Sequence, residues 1–370
     1  MKQTKDQSKP KVAILGLGLM GGSLGLILTK AGYPVTGWAR KPTTIEEAYR
    51  IGAINIKPTS EEDAVHDAKY VFVATPVSLI CEKIKTCIPW TAPGTIFTDV
   101  GSIKEAIMTE VFSFLPSTHH FVAAHPMTGS DQQGISVADP FLYQNALYII
   151  IDDPRTPEWA ANEVRDILKL TGANLITLTG SEHDRIVAAV SHLPHLLAAT
   201  LAKTAGAVEE THPGTLNFAA GGFRDTTRVA MGAPEIWEGI ILGNKLQVLR
   251  AINAFQAQLD YLKGIIQTGD QGLLSEFLTK AKETRQQIPA KNKGFLSLLY
   301  EMVITVEDRP GAINEVLVHL AKEGLNIKDI EILRVREGEG GTVRLAFEND
   351  QSVDCAVRVL EKQGYIVRKR

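Results

Sequence analysis

Cysteine is scarce in this chain, and the three present, Cys81, Cys87 and Cys355, are too few and too scattered for a disulfide framework or a metal site. Buried or idle thiols in a reducing compartment are the expectation. Excess charge of either sign is also missing: 39 basic residues face 42 acidic ones, for a net charge of -3. That balance offers no general attraction for nucleic acid or an anionic membrane, so any anion site must be built locally. No run reaches the about 18 consecutive apolar residues of a membrane span, and Met1 to Pro10 are polar, without the apolar core of a signal peptide. The composition predicts a soluble, cytoplasmic protein. Its 370 residues exceed one ordinary domain and suit two or three.

What is present begins with glycine. Lys11-Val-Ala-Ile-Leu-Gly16-Leu-Gly18-Leu-Met-Gly21 reads as apolar strand, tight turn and helix start in the pattern G-x-G-x-x-G. Gly16 lets the chain turn, Gly18 lets its backbone approach a pyrophosphate, and Gly21 lets the helix pack close with its N-terminus toward the phosphates. The motif predicts a nicotinamide or flavin dinucleotide, with a plain glycine-rich turn as the alternative. Met20 to Ala31 read as helix, ended by Gly32, and Pro34 to Trp38 as the second strand. The acid that usually binds the adenosine ribose at that strand's tip is missing, and Ala39-Arg40-Lys41 stand there instead. Arg40 and Lys41 would neutralise a 2'-phosphate and favour NADP+, unless they form only a solvated turn.

Further apolar runs, Tyr70 to Ala74, Thr95 to Asp99, Phe121 to Ala124, Ala146 to Ile151 and Ala173 to Thr179, alternate with helix patterns. They imply a largely parallel sheet and a Rossmann-type α/β domain over residues 1–180. Polar residues collect at the carboxyl ends of these runs, where such folds bind ligands: Thr75-Pro76, Asp99-Val-Gly-Ser102 and His125-Pro-Met-Thr-Gly129. Thr75 and Pro76 are candidates for the cofactor. His125 ends a strand where an imidazole can reach a substrate hydroxyl and take or share its proton near neutral pH. His119 and His120 precede that strand and read as surface histidines. Ser102 serves either as the N-cap of the next helix or as a hydroxyl bonded to His125 or the substrate.

From Ser181 the strand patterns stop, and residues 181–290 read as a helical domain. Pro194 should kink a helix that carries His192 and His195 on roughly one face. No further cluster completes a ligand set, so a metal site is not expected. His195 is either a satisfied core residue or a substrate ligand. Arg224 and Arg228, four apart in Gly221-Gly-Phe-Arg224-Asp-Thr-Thr-Arg228, supply the local anion site as guanidinium forks for a carboxylate, or else pair within the chain. Pro234 to Gln267 reads as one long helix of about 50 Å, a length that invites pairing with a second copy and predicts a homodimer. Asp270 to Gln287 is the next.

Residues 291–297 read as linker, and 298–370 as a βαββαβ module. Its turn Glu307-Asp308-Arg-Pro-Gly311-Ala312, followed by Gly324-Leu-Asn326-Ile327, resembles the ACT domain family. That resemblance implies an amino-acid effector held near Asp308, Gly311, Ala312 and Asn326.

Residues 11 to about 290 resemble the bacterial prephenate dehydrogenases, in which an ACT segment is a known addition. The likeness rests on Gly16-x-Gly18-x-x-Gly21-Gly-Ser, Ala74-Thr-Pro76, Thr98-Asp-Val-Gly-Ser102-x-Lys104, His125-Pro-Met-x-Gly129, Ser191-His-Leu-Pro-His195 and Gly222-Phe-x-Asp225-x-Thr-Arg228. It implies that His125 engages the 4-hydroxyl of prephenate, that Ser102 assists it, and that His195 and Arg228 help hold the substrate. It implies NAD(P)+ as cofactor, NAD+ being the family's usual choice, and tyrosine, or another aromatic amino acid, as the effector. Arogenate, which carries an ammonium group, is the alternative substrate, with Asp131 as a candidate partner for that charge. Two other classes remain: a β-hydroxyacid dehydrogenase using Lys245, which leaves the histidine motifs unexplained, and a sensor that binds without turnover.

Overall fold

The computed structural model describes residues 9–129, 132–288, 300–307, 309–336 and 340–369. The chain divides into two units, residues 1–294 and 295–370. The first unit opens with β1 (Val12–Leu15), α1 (Leu19–Lys30), β2 (Val35–Trp38), α2 (Pro42–Arg50), α3 (Glu61–Val65), β3 (Tyr70–Val73), α4 (Val77–Cys87), β4 (Ile96–Asp99), α5 (Glu105–Phe114) and β5 (His120–Val122). Its five strands form a parallel sheet in the order β2-β1-β3-β4-β5. Helices cover both faces, which is why β1 is apolar at every position: Val12 and Ile14 enter one core with Leu24 and Leu28, Ala13 and Leu15 the other with Ile80 and Ile84.

The run Phe121 to Ala124 is not one strand. The chain leaves the parallel sheet at Ala123 and starts β6 (Ala124–Pro126), which pairs antiparallel with β7 (Leu147–Ile151). After α6 (Glu158–Lys169), β8 (Asn174–Leu178) adds parallel to β7 and completes a separate three-stranded sheet. The break is held by a buried ion pair. Asp99 Oδ1 accepts the Ala124 N–H at 3.2 Å, Lys104 Nζ donates to the Ala124 carbonyl at 2.7 Å, and Lys104 and Asp99 pair with both side chains fully enclosed.

The helical part comprises α7 (Gly180–Val187), a π-helical turn at Ala188–His192, α8 (Leu193–Thr211), α9 (Gly221–Thr227), α10 (Pro234–Gly243), α11 (Lys245–Thr268) and α12 (Gln271–Gln286). The disturbance expected at Pro194 is this π turn, which relieves the lost N–H of the proline just ahead of it. The long helix expected from Pro234 is two helices, because Asn244 leaves helical geometry (φ -111°, ψ 29°) and turns its amide inward. By length and composition Gly180–Thr211 would cross a bilayer, yet it buries His183, Asp184 and His192 in polar contacts with neighbouring elements.

The second unit runs β9 (Tyr300–Val306), α13 (Ala312–Lys322), β10 (Asp329–Arg336), β11 (Gly340–Phe347), α14 (Asp350–Lys362) and β12 (Val367–Lys369), with sheet order β10-β11-β9-β12. Its core is its own: Met302, Ile304, Leu345 and Phe347 from the strands pack with Val316, Leu320, Val353 and Leu360 from the helices. Arg344, between two core positions of β11, faces the other side of the sheet, where Glu301, Asp329 and Glu331 surround its guanidinium.

Candidate active site

The capping box of Thr179 and Glu182 fixes the start of α7 and thereby sets His183 and Asp184 on its second turn, both buried. Asp184 reaches the start of α5, where its carboxylate accepts the backbone N–H of Lys104 at 2.8 Å and of Glu105 at 2.9 Å. That is the cap of α5, so Ser102 does not serve as one. The helix begins three residues later than Ser102, and among the described residues Ser102 makes no hydrogen bond to His125 either.

His125 sits in the middle of β6, opposite Ile149. Its Nδ1 lies 2.8 Å from His183 Nε2, and His183 Nδ1 lies 2.8 Å from Asp184 Oδ1. Burial pushes the His125 imidazole well below its ordinary pKa, and the charges of His183, Lys104 and His192 push it the same way. Burial also lowers His183, against the pull of Asp184. His125 therefore stands as a neutral base at neutral pH, with Nε2 free of any protein hydrogen bond among the described residues.

Beyond Asp184 the polar chain continues. Asn244 donates through Nδ2 to the Asp184 carbonyl at 2.8 Å and faces His192 Nδ1 at 3.3 Å. Among the described residues, no protein group pairs with the buried His192 Nε2 and His195 Nδ1. Burial lowers His192 to about 4 and lowers His195 as well. The His195 ring stacks on Trp237, with centroids 3.6 Å apart. Gly232 makes this possible, since a Cβ there would lie 2.5 Å from the Trp237 indole nitrogen. Arg228 begins the short turn Arg228–Met231, whose Val229 backbone reaches the His195 ring on α8. Arg224 lies on α9, and both arginines are exposed.

The glycine turn fits a dinucleotide. Gly16 has φ +101° and a Cβ there would strike the Ala74 carbonyl at 2.5 Å, while a Cβ on Gly21 would lie 2.0 Å from the Gly16 carbonyl oxygen. At Gly18 a Cβ would meet nothing, and no side chain caps α1 behind it, so the turn opens on free backbone at a helix N-terminus. Beside it the Thr75 hydroxyl is enclosed and unpaired, and Pro76 leads into α4. Arg40 is exposed past the end of β2.

His119 and His120 depart from expectation. His119 is buried between the Thr91 and Thr118 hydroxyls, and His120 lies in β5 with its ring against Trp159. Sequence reasoning assigned no role to His183, Asp184, Lys104, Asn244 or Trp237. Asp131 and Asp308 lie outside the described residues, as does the expected linker.

Residues 24–177 match the family model described as prephenate dehydrogenase, nucleotide-binding domain, and residues 179–280 match prephenate dehydrogenase, dimerization domain. The chain belongs to the prephenate dehydrogenase family. The prephenate dehydrogenase of Bacillus subtilis (strain 168) is 32% identical over 97% of this chain and 98% of its own length. A crystal structure of prephenate dehydrogenase from A. aeolicus in complex with hydroxyphenyl propionate and NAD+ superposes with TM-score 0.71 at 29% identity, covering 77% of this chain and 100% of that one. Synechocystis arogenate dehydrogenase does so with TM-score 0.67 at 29% identity, covering 75% of this chain and 100% of that one. The family models end at residue 280, whereas the Bacillus subtilis alignment, at 97% of this chain, extends into the second unit.

Proposed function

We infer that this member of the prephenate dehydrogenase family oxidatively decarboxylates prephenate to 4-hydroxyphenylpyruvate and carbon dioxide in tyrosine biosynthesis. The observation that carries the reading is His125, a neutral imidazole with one nitrogen committed to protein and the other open, in a unit whose glycine turn fits a dinucleotide. A bound nicotinamide supplies the hydride acceptor. His125 Nε2 takes the proton of the 4-hydroxyl as the hydrogen on the same carbon departs with its electron pair. Loss of the ring carboxylate as carbon dioxide then returns an electron pair to the ring, and the resulting phenolate recovers the proton from His125. Ser102 assists at the hydroxyl, while His195, Arg228 and Arg224 hold the dianion.

Gly16, Gly18, Gly21, Thr75 and Pro76 hold the cofactor in this reading. Arg40 and Lys41, standing where an acid would accept the ribose hydroxyls, support NADP+, and NAD+ is the alternative. The test follows reduced-nicotinamide absorbance after mixing the protein with prephenate or arogenate and each cofactor. Turnover of prephenate is the expected result, and turnover of neither substrate would overturn the assignment. With arogenate alone active, the sibling reaction would replace it.

Apolar side chains left exposed along α10 and α11, Leu242, Leu246, Leu249 and Leu259 among them, support a homodimer formed through this helical part. The βαββαβ order of the second unit supports an ACT domain that binds an aromatic amino acid, tyrosine first, near Gly311, Ala312 and Asn326. Gly311 holds a left-handed turn (φ +88°) at the start of α13, and Asn326 is exposed after it. The three free thiols support a reducing, cytoplasmic setting.

A further inference from the structure

We propose that His183 and Asp184 are positioning residues that fix the tautomer of His125, forcing its ring proton onto Nδ1 so that Nε2 faces the substrate as a bare acceptor. The inference rests on the reading of His125 as the base. The donors run inward from Asp184. Its carboxylate receives two backbone N–H groups, from Lys104 and Glu105, and these can only donate. The group is thus held as an acceptor, and the 2.8 Å contact from His183 Nδ1 must be a donated N–H. A neutral His183 then has no proton on Nε2. The 2.8 Å contact between that nitrogen and His125 Nδ1 requires His125 to be the donor. One arrangement of protons satisfies all four contacts, and it leaves His125 Nε2 bare.

The groups facing His125 favour this state. Lys104, at the start of α5, adds a positive charge and His192, in the π turn, a second imidazole, so both His125 and His183 are held neutral. Asp99, at the end of β4, pairs with Lys104 and raises His183 as Asp184 does, but it is Asp184 that bonds the histidine pair. When His125 Nε2 accepts the substrate proton, its imidazolium keeps the Nδ1–H to His183, and the positive charge is shared toward Asp184. The proton moves from substrate oxygen to Nε2 and back, with no net change in the relay.

Two substitutions separate this from a packing role. His183→Gln keeps a carbonyl oxygen able to accept the His125 Nδ1–H, whereas His183→Leu fills similar space with no acceptor. The expected result is a kcat about 100-fold down in His183→Leu with KM changed less than threefold, and recovery to within tenfold of wild type in His183→Gln. The acid limb of kcat/KM should also move in His183→Leu, since the group that stabilises the imidazolium is gone. Nitrogen-15 NMR of imidazole-labelled wild-type protein at neutral pH reads the tautomers without turnover or mutation, His125 being assigned by comparison with His125→Asn. Both His125 and His183 should appear protonated on Nδ1. A His125 protonated on Nε2 overturns the proposal, as does a His183→Leu enzyme within threefold of wild-type kcat or a folded His183→Gln no better than His183→Leu. Failure of prephenate turnover in the wild type would instead strike the functional reading, which the NMR result leaves untouched.

Discussion

At the scale of single residues, roles divide by what each side chain can do in the transition state. His125 moves a proton, so His125→Asn should lower kcat by about 10²- to 10⁴-fold with little change in KM. Arg228 binds charge in substrate and transition state alike. Arg228→Ala should therefore raise KM by about tenfold or more and leave kcat within a few-fold, the size of a lost charge-assisted hydrogen bond. Steady-state kinetics with prephenate check both, and a fully active His125→Asn would sink the assignment. The histidines also give stability a pH dependence. His125, His183, His192 and His195 all have folded-state pKa values below the ordinary imidazole value, because burial disfavours their charged forms. Below that ordinary value the unfolded chain binds more protons than the folded one, so stability present above about pH 6.5 is lost as pH falls toward the folded values. Urea midpoints should drop between pH 7 and pH 5, and a flat profile would contradict the burial of these rings.

At the scale of elements, the site depends on one break in a strand and one break in a helix. Asp99 and Lys104 hold the first by bonding both backbone groups of Ala124, which places His125 at the edge of a different sheet from β5. Lys104→Met would leave Asp99 enclosed without its partner, a loss of about 3–5 kcal/mol for a buried pair broken on one side. Thermal melts should show Lys104→Met strongly destabilised, and Asp99→Asn combined with Lys104→Met should recover part of the loss. Much of this level was legible from sequence. The glycine turn and the alternation of strand and helix followed from local pattern, whereas His125, expected to end a strand, lies in the middle of β6. What was not legible came from contacts distant in the chain. Ser102 looks like an N-cap because Ser caps well, but Asp184, some eighty positions away, supplies the cap. Pro234 to Gln267 looks like one helix because its apolar spacing continues through Asn244, whose side chain is drawn off to Asp184 and His192. His183 and Asp184 look like the polar face of a helix start until the fold turns that face inward.

At the scale of the whole molecule, the chain folds as two compact units. Every residue placed in the active site, from Gly16 to Asn244, belongs to the first unit, and its cores are closed by residues of that unit. The second unit closes its own core with buried apolar side chains, twelve among the described residues, between a four-stranded sheet and two helices. If it is the receptor for an aromatic amino acid, binding there must be coupled to the active site by a differential affinity for two states of the enzyme. Removing residues 296–370 deletes the receptor and leaves the catalytic residues in place. Prephenate turnover by the truncated protein should then persist within a few-fold of the full chain, and tyrosine should no longer change it, while the full chain is inhibited. Titration of tyrosine against both proteins, with light scattering to follow the dimer, separates the outcomes. Inhibition that survives the deletion would place the effector in the first unit.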